Sequence, residues 1–120
     1  MEREVNIGTQ NHTRVVSTDE MGPGGAYHCY AVEIVQSAAP VAVCAQITFQ
    51  KGGVIEAGPN GCFIEDLLAI CIDRLTCFQE GPFPCRENAI AKTKLEETMM
   101  WLNKRTADRK KRGVEGKSVE

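Results

Sequence analysis

The sequence predicts an α+β fold: a small antiparallel β-meander in the first half, then a helical hairpin whose second helix is long and basic. Three observations carry this. Apolar residues before residue 60 recur with a period of two, as in 41–50, where Val41, Val43, Ala45, Ile47 and Phe49 share one side. After residue 62 the period lengthens, and Ile64, Leu67, Leu68, Cys71, Ile72, Leu75 and Phe78 follow one helical face. The charge also divides. Residues 1–84 hold 4 basic and 10 acidic side chains, a net of −6, whereas residues 85–120 hold 10 and 6, a net of +4. Such a division marks an anionic partner or one half docking on another.

Residues 1–12 lack apolar periodicity and are expected to be loose. TRVVS (13–17) reads as a short edge strand and MGPGG (21–25) as a loop. YHCYAVEIVQ (27–36) is rich in β-branched and aromatic residues and reads as a strand, broken by SAAP at 37–40. VAVCAQITFQ (41–50) is expected to be a half-buried antiparallel strand, with Gln46, Thr48 and Gln50 on its polar side. KGG then turns the chain into VIEAG (54–58), read as a further short strand.

Glu65 and Asp66 fall in the first turn of the first helix, where the dipole favours acids. QEGPFP (79–84) stops that helix, and Pro84 can open the next. The second helix is expected from about residue 85 to 112, with Gly113 as its stop. At ~1.5 Å per residue it is ~40 Å long, so its far end should project or meet another subunit. The expectation is one domain over 1–120, with a β part at 1–58, a hairpin at 61–113 and a tail at 114–120.

Composition excludes several classes. The chain of 120 residues is 42% hydrophobic and 25% charged, ordinary for a globular protein. No apolar run reaches the ~18 residues that span a membrane. The opening MEREVNIGTQNHT has no apolar h-region, so the expected location is the cytoplasm. There the six cysteines are expected as free, mostly buried thiols; no CxxC occurs, and His12 and His28 stand far from most of them, so neither metal nor cofactor is implied. No P-loop, GxSxG or HExxH is present, and the adjacent pairs Glu65–Asp66 and Glu96–Glu97 diverge by ~100° on a helix. An enzyme is not expected.

The candidate chemistry lies in WLNKRTADRKKRG (101–113). With Thr98 at the centre of a helical projection, Ala91, Leu95 and Leu102 fall within about 60° of it, and so do Arg105, Arg109 and Arg112. The arginines thus continue the apolar stripe, while Lys104, Lys110 and Lys111 point elsewhere with Asp108 among them. Two readings stand. Cations at a helix C-terminus are mildly stabilising, ~0.3–1 kcal/mol each. Alternatively, planar guanidinium forks grip a phosphodiester or pyrophosphate bidentately. The acidic whole chain, of pI ≈ 5.7, suits a small anion better than a nucleic-acid polymer. Phe78 and Phe83 either stack a base or cap the hydrophobic seam. CRENA (85–89) opens the second helix, where free N–H groups and Arg86 attract anions; Asn88 either reads a base or ribose edge or bonds locally in the first turn.

Together, ITFQKG (47–52), NG with EDLLAICIDRL (60–61, 65–75), FQEGPFPCRENAIAKTKLEETMMWLNKRT (78–106) and RGVEG (112–116) resemble the Thoeris anti-defence protein 1 family of bacteriophages. The helical pair also resembles that of anti-CBASS protein 2. The resemblance implies a sponge that binds cyclic ADP-ribose isomers made by TIR proteins and holds them undegraded, with cyclic di- or trinucleotides as possible second ligands. It implies a homo-oligomer, hexamers built from dimers, with ligand pockets between subunits. On matching positions it implies Phe78 as the base-stacking aromatic, Asn88 as the polar base or ribose contact, and Arg105, extended to Arg109 and Arg112, as the phosphate grip. Arg86 is the candidate for a second, cyclic-oligonucleotide pocket. The alternatives are an enzyme cleaving the same ligands, a small nucleic-acid-binding regulator and a phage structural protein. Phe63 stands where a capping Thr or Asn is expected, which predicts a different start for the first helix.

Overall fold

The computed structural model describes residues 2–8, 11–35 and 42–113. The expected break at 37–40 and the tail at 114–120 lie outside them. The chain divides into two compact units, the first ending at Cys62 and the second beginning at Phe63.

The first unit is a four-stranded antiparallel meander in the order β1-β2-β3-β4: β1 (Arg3–Val5), β2 (Thr13–Ser17), β3 (Cys29–Ile34) and β4 (Ala42–Thr48). Two expectations are corrected here. Residues 3–5 form a strand despite their lack of periodicity, because Arg3, Glu4 and Val5 pair with Ser17, Val16 and Val15. That pairing places β2 inside the sheet, not at its edge. A three-residue edge strand takes its structure from its neighbour and leaves no period to read.

The most buried residues of this unit are few, and several are polar. Val16 and Ala31 are the buried apolar pair, beside Ser17, His28 and Glu33. Burial of polar groups requires partners. Ser17 is 0% exposed, and its Oγ accepts from Arg3 Nε at 3.1 Å. Glu33 Oε1 accepts from Arg14 Nε at 3.0 Å and Nη2 at 2.8 Å across the β2–β3 pair. That hydrogen bond, with the attraction of the Glu33 charge, holds the Arg14 guanidinium above its ordinary pKa. Asp19 caps the entry to β3, accepting from the N–H groups of His28 at 3.1 Å and Cys29 at 3.2 Å. Burial pushes the Asp19 carboxyl up, but these donors outweigh it, and its pKa lies below the ordinary value.

β4 departs from the expected half-burial. Among the described residues of that side Val43 and Ala45 are exposed within this chain and Ile47 and Phe49 are partly covered, while Val41 lies outside the described residues. A sheet buries a side only where another layer lies against it. Tyr30 meets Phe49 edge to face at 5.7 Å between centroids.

VIEAG, read as a strand, is instead a single helical turn, α1 (Val54–Ala57), closed by Gly58 at φ 75°. Side chains fix this corner. Gln50 Nε2 donates to Gly52 O at 3.1 Å and Gly58 O at 2.8 Å, while its Oε1 accepts from Asn60 N at 2.9 Å. Asn60 in turn accepts from Lys51 N at 2.7 Å and donates to Lys51 O at 2.9 Å. The clamp presses Gly61 against Phe49 so closely that a Cβ there lies 2.5 Å from the Phe49 carbonyl.

The second unit is the expected hairpin: α2 (Ile64–Glu80) and α3 (Arg86–Lys111). α2 starts without a Ser or Thr cap. Phe63 N–H donates to Asp66 Oδ2 at 2.8 Å and Asp66 N–H to Phe63 O at 3.0 Å, a reciprocal pair that does the work of a capping box. Cys85 caps α3 through Sγ, which accepts from Asn88 N at 3.4 Å, and Gly113, at φ 71°, ends it.

Candidate functional site

The packing seam of the hairpin decides where each candidate side chain lies. On α3 the half-covered residues are Asn88, Lys92, Leu95, Met99, Leu102, Thr106 and Arg109, at alternating spacings of four and three. On α2 they include Glu65, Leu68, Ile72, Leu75 and Gln79, in the same rhythm. This is the seam of an antiparallel helical pair. It corrects the expected arginine stripe. Ala91, Thr98, Arg105 and Arg112 are exposed; of the three arginines only Arg109 lies on the seam. The covered band centres between Leu95 and Met99, not on Thr98, and a single partner helix covers only a narrow band. For the same reason Ile64, Cys71 and Phe78 flank the α2 seam uncovered.

Length adds a second constraint. α2 has 17 residues and α3 has 26. Antiparallel pairing from the turn matches the 17 residues of α2 to roughly 86–102, so the rest of α3, about 13 Å at 1.5 Å per residue, runs past its partner. Arg105, Arg109 and Arg112 all follow residue 102, and of these only Arg109 keeps the half-covered rhythm of the seam.

The turn end is rigidly made. Gln79 Nε2 donates to Cys85 O at 3.0 Å, and Cys85 N–H donates to Gln79 Oε1 at 3.0 Å, closing residues 80–84 as a loop. Phe78, 44% exposed, ends α2 there with Arg74 stacked on its ring, 4.9 Å from the centroid. Arg74 was not legible in the sequence as a candidate, although its i, i+4 spacing to Phe78 is the signal for such a pair. Asn88 is half-buried in the first turn of α3, and the exposed Arg86 opens that helix.

The hairpin thus brings Phe78, Asn88 and Arg86 to one end and the three arginines to the other. Asn88 and Arg105 are 17 residues apart, about 26 Å along the helix. At the distal end a hollow of about 500 Å³ is lined by Trp101, Lys104, Arg105, Asp108, Arg109 and Arg112. Lys104, expected on a solvated side away from the arginines, lines the same hollow and binds Asp108 at 2.8 Å. That hydrogen bond and the Lys104 charge hold the Asp108 carboxyl below its ordinary pKa.

The expectation of mostly buried thiols is also corrected. All six cysteines are free, but Cys44, Cys71, Cys77 and Cys85 are exposed and the other two half-buried. Three of the four exposed thiols, Cys71, Cys77 and Cys85, lie in the hairpin. Among the described residues no group of three or more His, Cys, Asp or Glu side chains is placed to hold a metal, and no described helix is long and apolar enough to cross a membrane.

Residues 45–107 match the family model described as Acb2/Tad1, hairpin domain. The chain belongs to this family. The matched segment takes in the end of β4, the Gln50–Asn60 clamp, all of α2 and α3 to its penultimate turn. A curated protein of Bacillus phage SBSphiJ7, named Thoeris anti-defense 1, is 61% identical over 72 residues, which cover 60% of this chain and 51% of that protein. The chain therefore spans about half the length of the curated relative it matches.

Proposed function

We propose that the protein acts as the name of its phage relative suggests, against Thoeris defence, by sequestering the cyclic ADP-ribose isomers that TIR proteins make. It binds them without turnover. Phe78 stacks the base, Asn88 meets a polar base or ribose edge, and Arg105, with Arg109 and Arg112, grips the pyrophosphate. Arg86 serves a second pocket for cyclic di- or trinucleotides.

One observation supports this reading above the others: the base-binding and phosphate-binding residues occupy opposite ends of one hairpin, too far apart for a nucleotide-sized ligand to touch both. A homo-oligomer with hairpins running antiparallel resolves this, since the turn end of one copy then meets the overhang of another. The unburied surface of both helices, and an α3 longer than α2, supply the contact area for such an assembly. Ligand charge and size agree with the site, because guanidinium forks match phosphate oxygens.

Two measurements test it. Purified protein is loaded with 1''–2' or 1''–3' cyclic ADP-ribose and heat-denatured, and the supernatant is assayed. Intact ligand is expected; a cleaved product would replace sequestration by hydrolysis. Phe78→Ala and Arg105→Ala variants are then mixed after reversible dissociation. Each binds poorly alone, and the mixture is expected to regain part of the wild-type capacity. No regain would refute a site shared between copies.

A further inference from the structure

We propose that Trp101 is a second stacking platform of the ligand site, taking one side of the base whose phosphates the distal arginines hold. The inference rests on the phosphate-grip reading above and adds a residue that neither the family resemblance nor the packing seam assigns.

Trp101 is 70% exposed, the only tryptophan of the chain, and lines the distal hollow with Arg105 and Arg112. On a helix its neighbours are the residues three and four positions away. Here they are Glu97, Thr98, Lys104 and Arg105, all polar or charged. A large indole docking on a second protein chain is set among apolar residues, since the centres of such contacts are depleted of charge. This one stands in a cationic surround, with four basic side chains and a single carboxylate, Asp108, along the hollow. A planar, electron-rich and anionic ligand fits both features: a heterocycle lies on the indole while its phosphate meets the guanidinium. Arg105 is one turn further along, about 6 Å in axial rise, comparable to the reach from a nucleobase through its ribose to the phosphate. Stacking of this kind is tolerant of base identity, and the opposite side of the base is left for Phe78 of a second copy.

Because the tryptophan is unique, its fluorescence reports directly. Full-length wild-type protein titrated with 1''–3' cyclic ADP-ribose is expected to show saturable quenching at the same midpoint as calorimetry. Trp101→Phe should keep the assembly and most of the affinity. Trp101→Ala should lose about tenfold or more in affinity, as removal of a base–aromatic stack does. Oligomer mass is measured for each. Unchanged fluorescence, or unchanged affinity in Trp101→Ala while wild type binds, overturns the assignment and leaves sequestration standing. Emission already blue-shifted without ligand, unmoved by it and coupled to dissociation of Trp101→Ala, makes Trp101 a contact between copies instead. Absence of wild-type binding by calorimetry removes both readings.

Discussion

The two units solve opposite problems. The β unit pairs most of its buried polar groups: Ser17 and Glu33 find partners in Arg3 and Arg14, its corner is locked by Gln50 and Asn60, and His28 Nδ1 alone among the described buried side-chain atoms has no partner. The hairpin's side-chain bonds are local, at the Asp66 start, the Gln79 turn and the Lys94–Glu97 and Lys104–Asp108 pairs along α3. No described residue of α2 or α3 is buried, although Ile64, Ile70, Phe78, Ile90, Met100 and Trp101 are large and exposed. A unit with paired polar groups and a small core holds one shape by itself, whereas a helix pair with apolar flanks and a cationic overhang has surface left to bind. Damage to the first should appear as lost stability, and damage to the second as lost ligand.

The largest effect is expected from Gly61→Ala. The added methyl meets the Phe49 carbonyl at 2.5 Å and the Thr48 carbonyl oxygen at 2.6 Å, and these backbone atoms cannot swing aside as a side chain could. A loss of about 3 kcal/mol, at the upper range of overpacking, should appear as a lowered melting temperature. An unchanged melting curve would show that the corner is less rigid than its hydrogen bonds imply. Next, Arg105→Ala should leave melting and oligomer mass unchanged, because the side chain is exposed and off the seam. It should weaken cyclic ADP-ribose binding by ~1.5–3 kcal/mol, the range for a hydrogen bond to a charged group. Arg105→Lys should recover only part of this, since an ammonium lacks the bidentate fork.

A smaller effect follows from Asp19. Its folded pKa is depressed below 3.8, so the unfolded chain binds the proton more readily. The stability it contributes is complete above that value and is lost as pH falls through the lower, folded pKa. Acid titration of Asp19→Asn against wild type should therefore give melting curves that converge at low pH; parallel curves would rule out the linkage. The smallest effect belongs to Lys104→Ala. Its pair with Asp108 is exposed and joins residues one turn apart, so melting should scarcely move. A large drop would mean the overhang depends on this pair for its helix.

Much was legible because it rests on local periodicity. The helical spacing of Leu68, Ile72 and Leu75, the glycine at 113 and the alternation through 41–50 each need only neighbours in sequence to be read. Legibility failed where a partner strand or helix decides. Arg3–Val5 is a strand because β2 lies beside it; Val54–Ala57 turns because the Gln50 amide holds its ends; Arg105 is exposed because the half-covered side of α3 runs through Leu102 and Thr106. The pairing of Arg74 with Phe78 and the 70% exposure of Trp101 are not legible in the sequence, because exposure is a property of the fold and not of a residue type.

By itself, the sequence determined the class of fold, the hairpin with its two stops, the segregation of charge and, through its ordered motifs, the family. Tertiary structure alone decided which side of α3 is covered, that the candidate ligand residues stand at opposite ends, and that β4 and both helices keep their apolar flanks uncovered within the chain. The physical reason is that period and propensity are encoded over a few residues. Burial depends on what packs alongside, which no short stretch of sequence specifies.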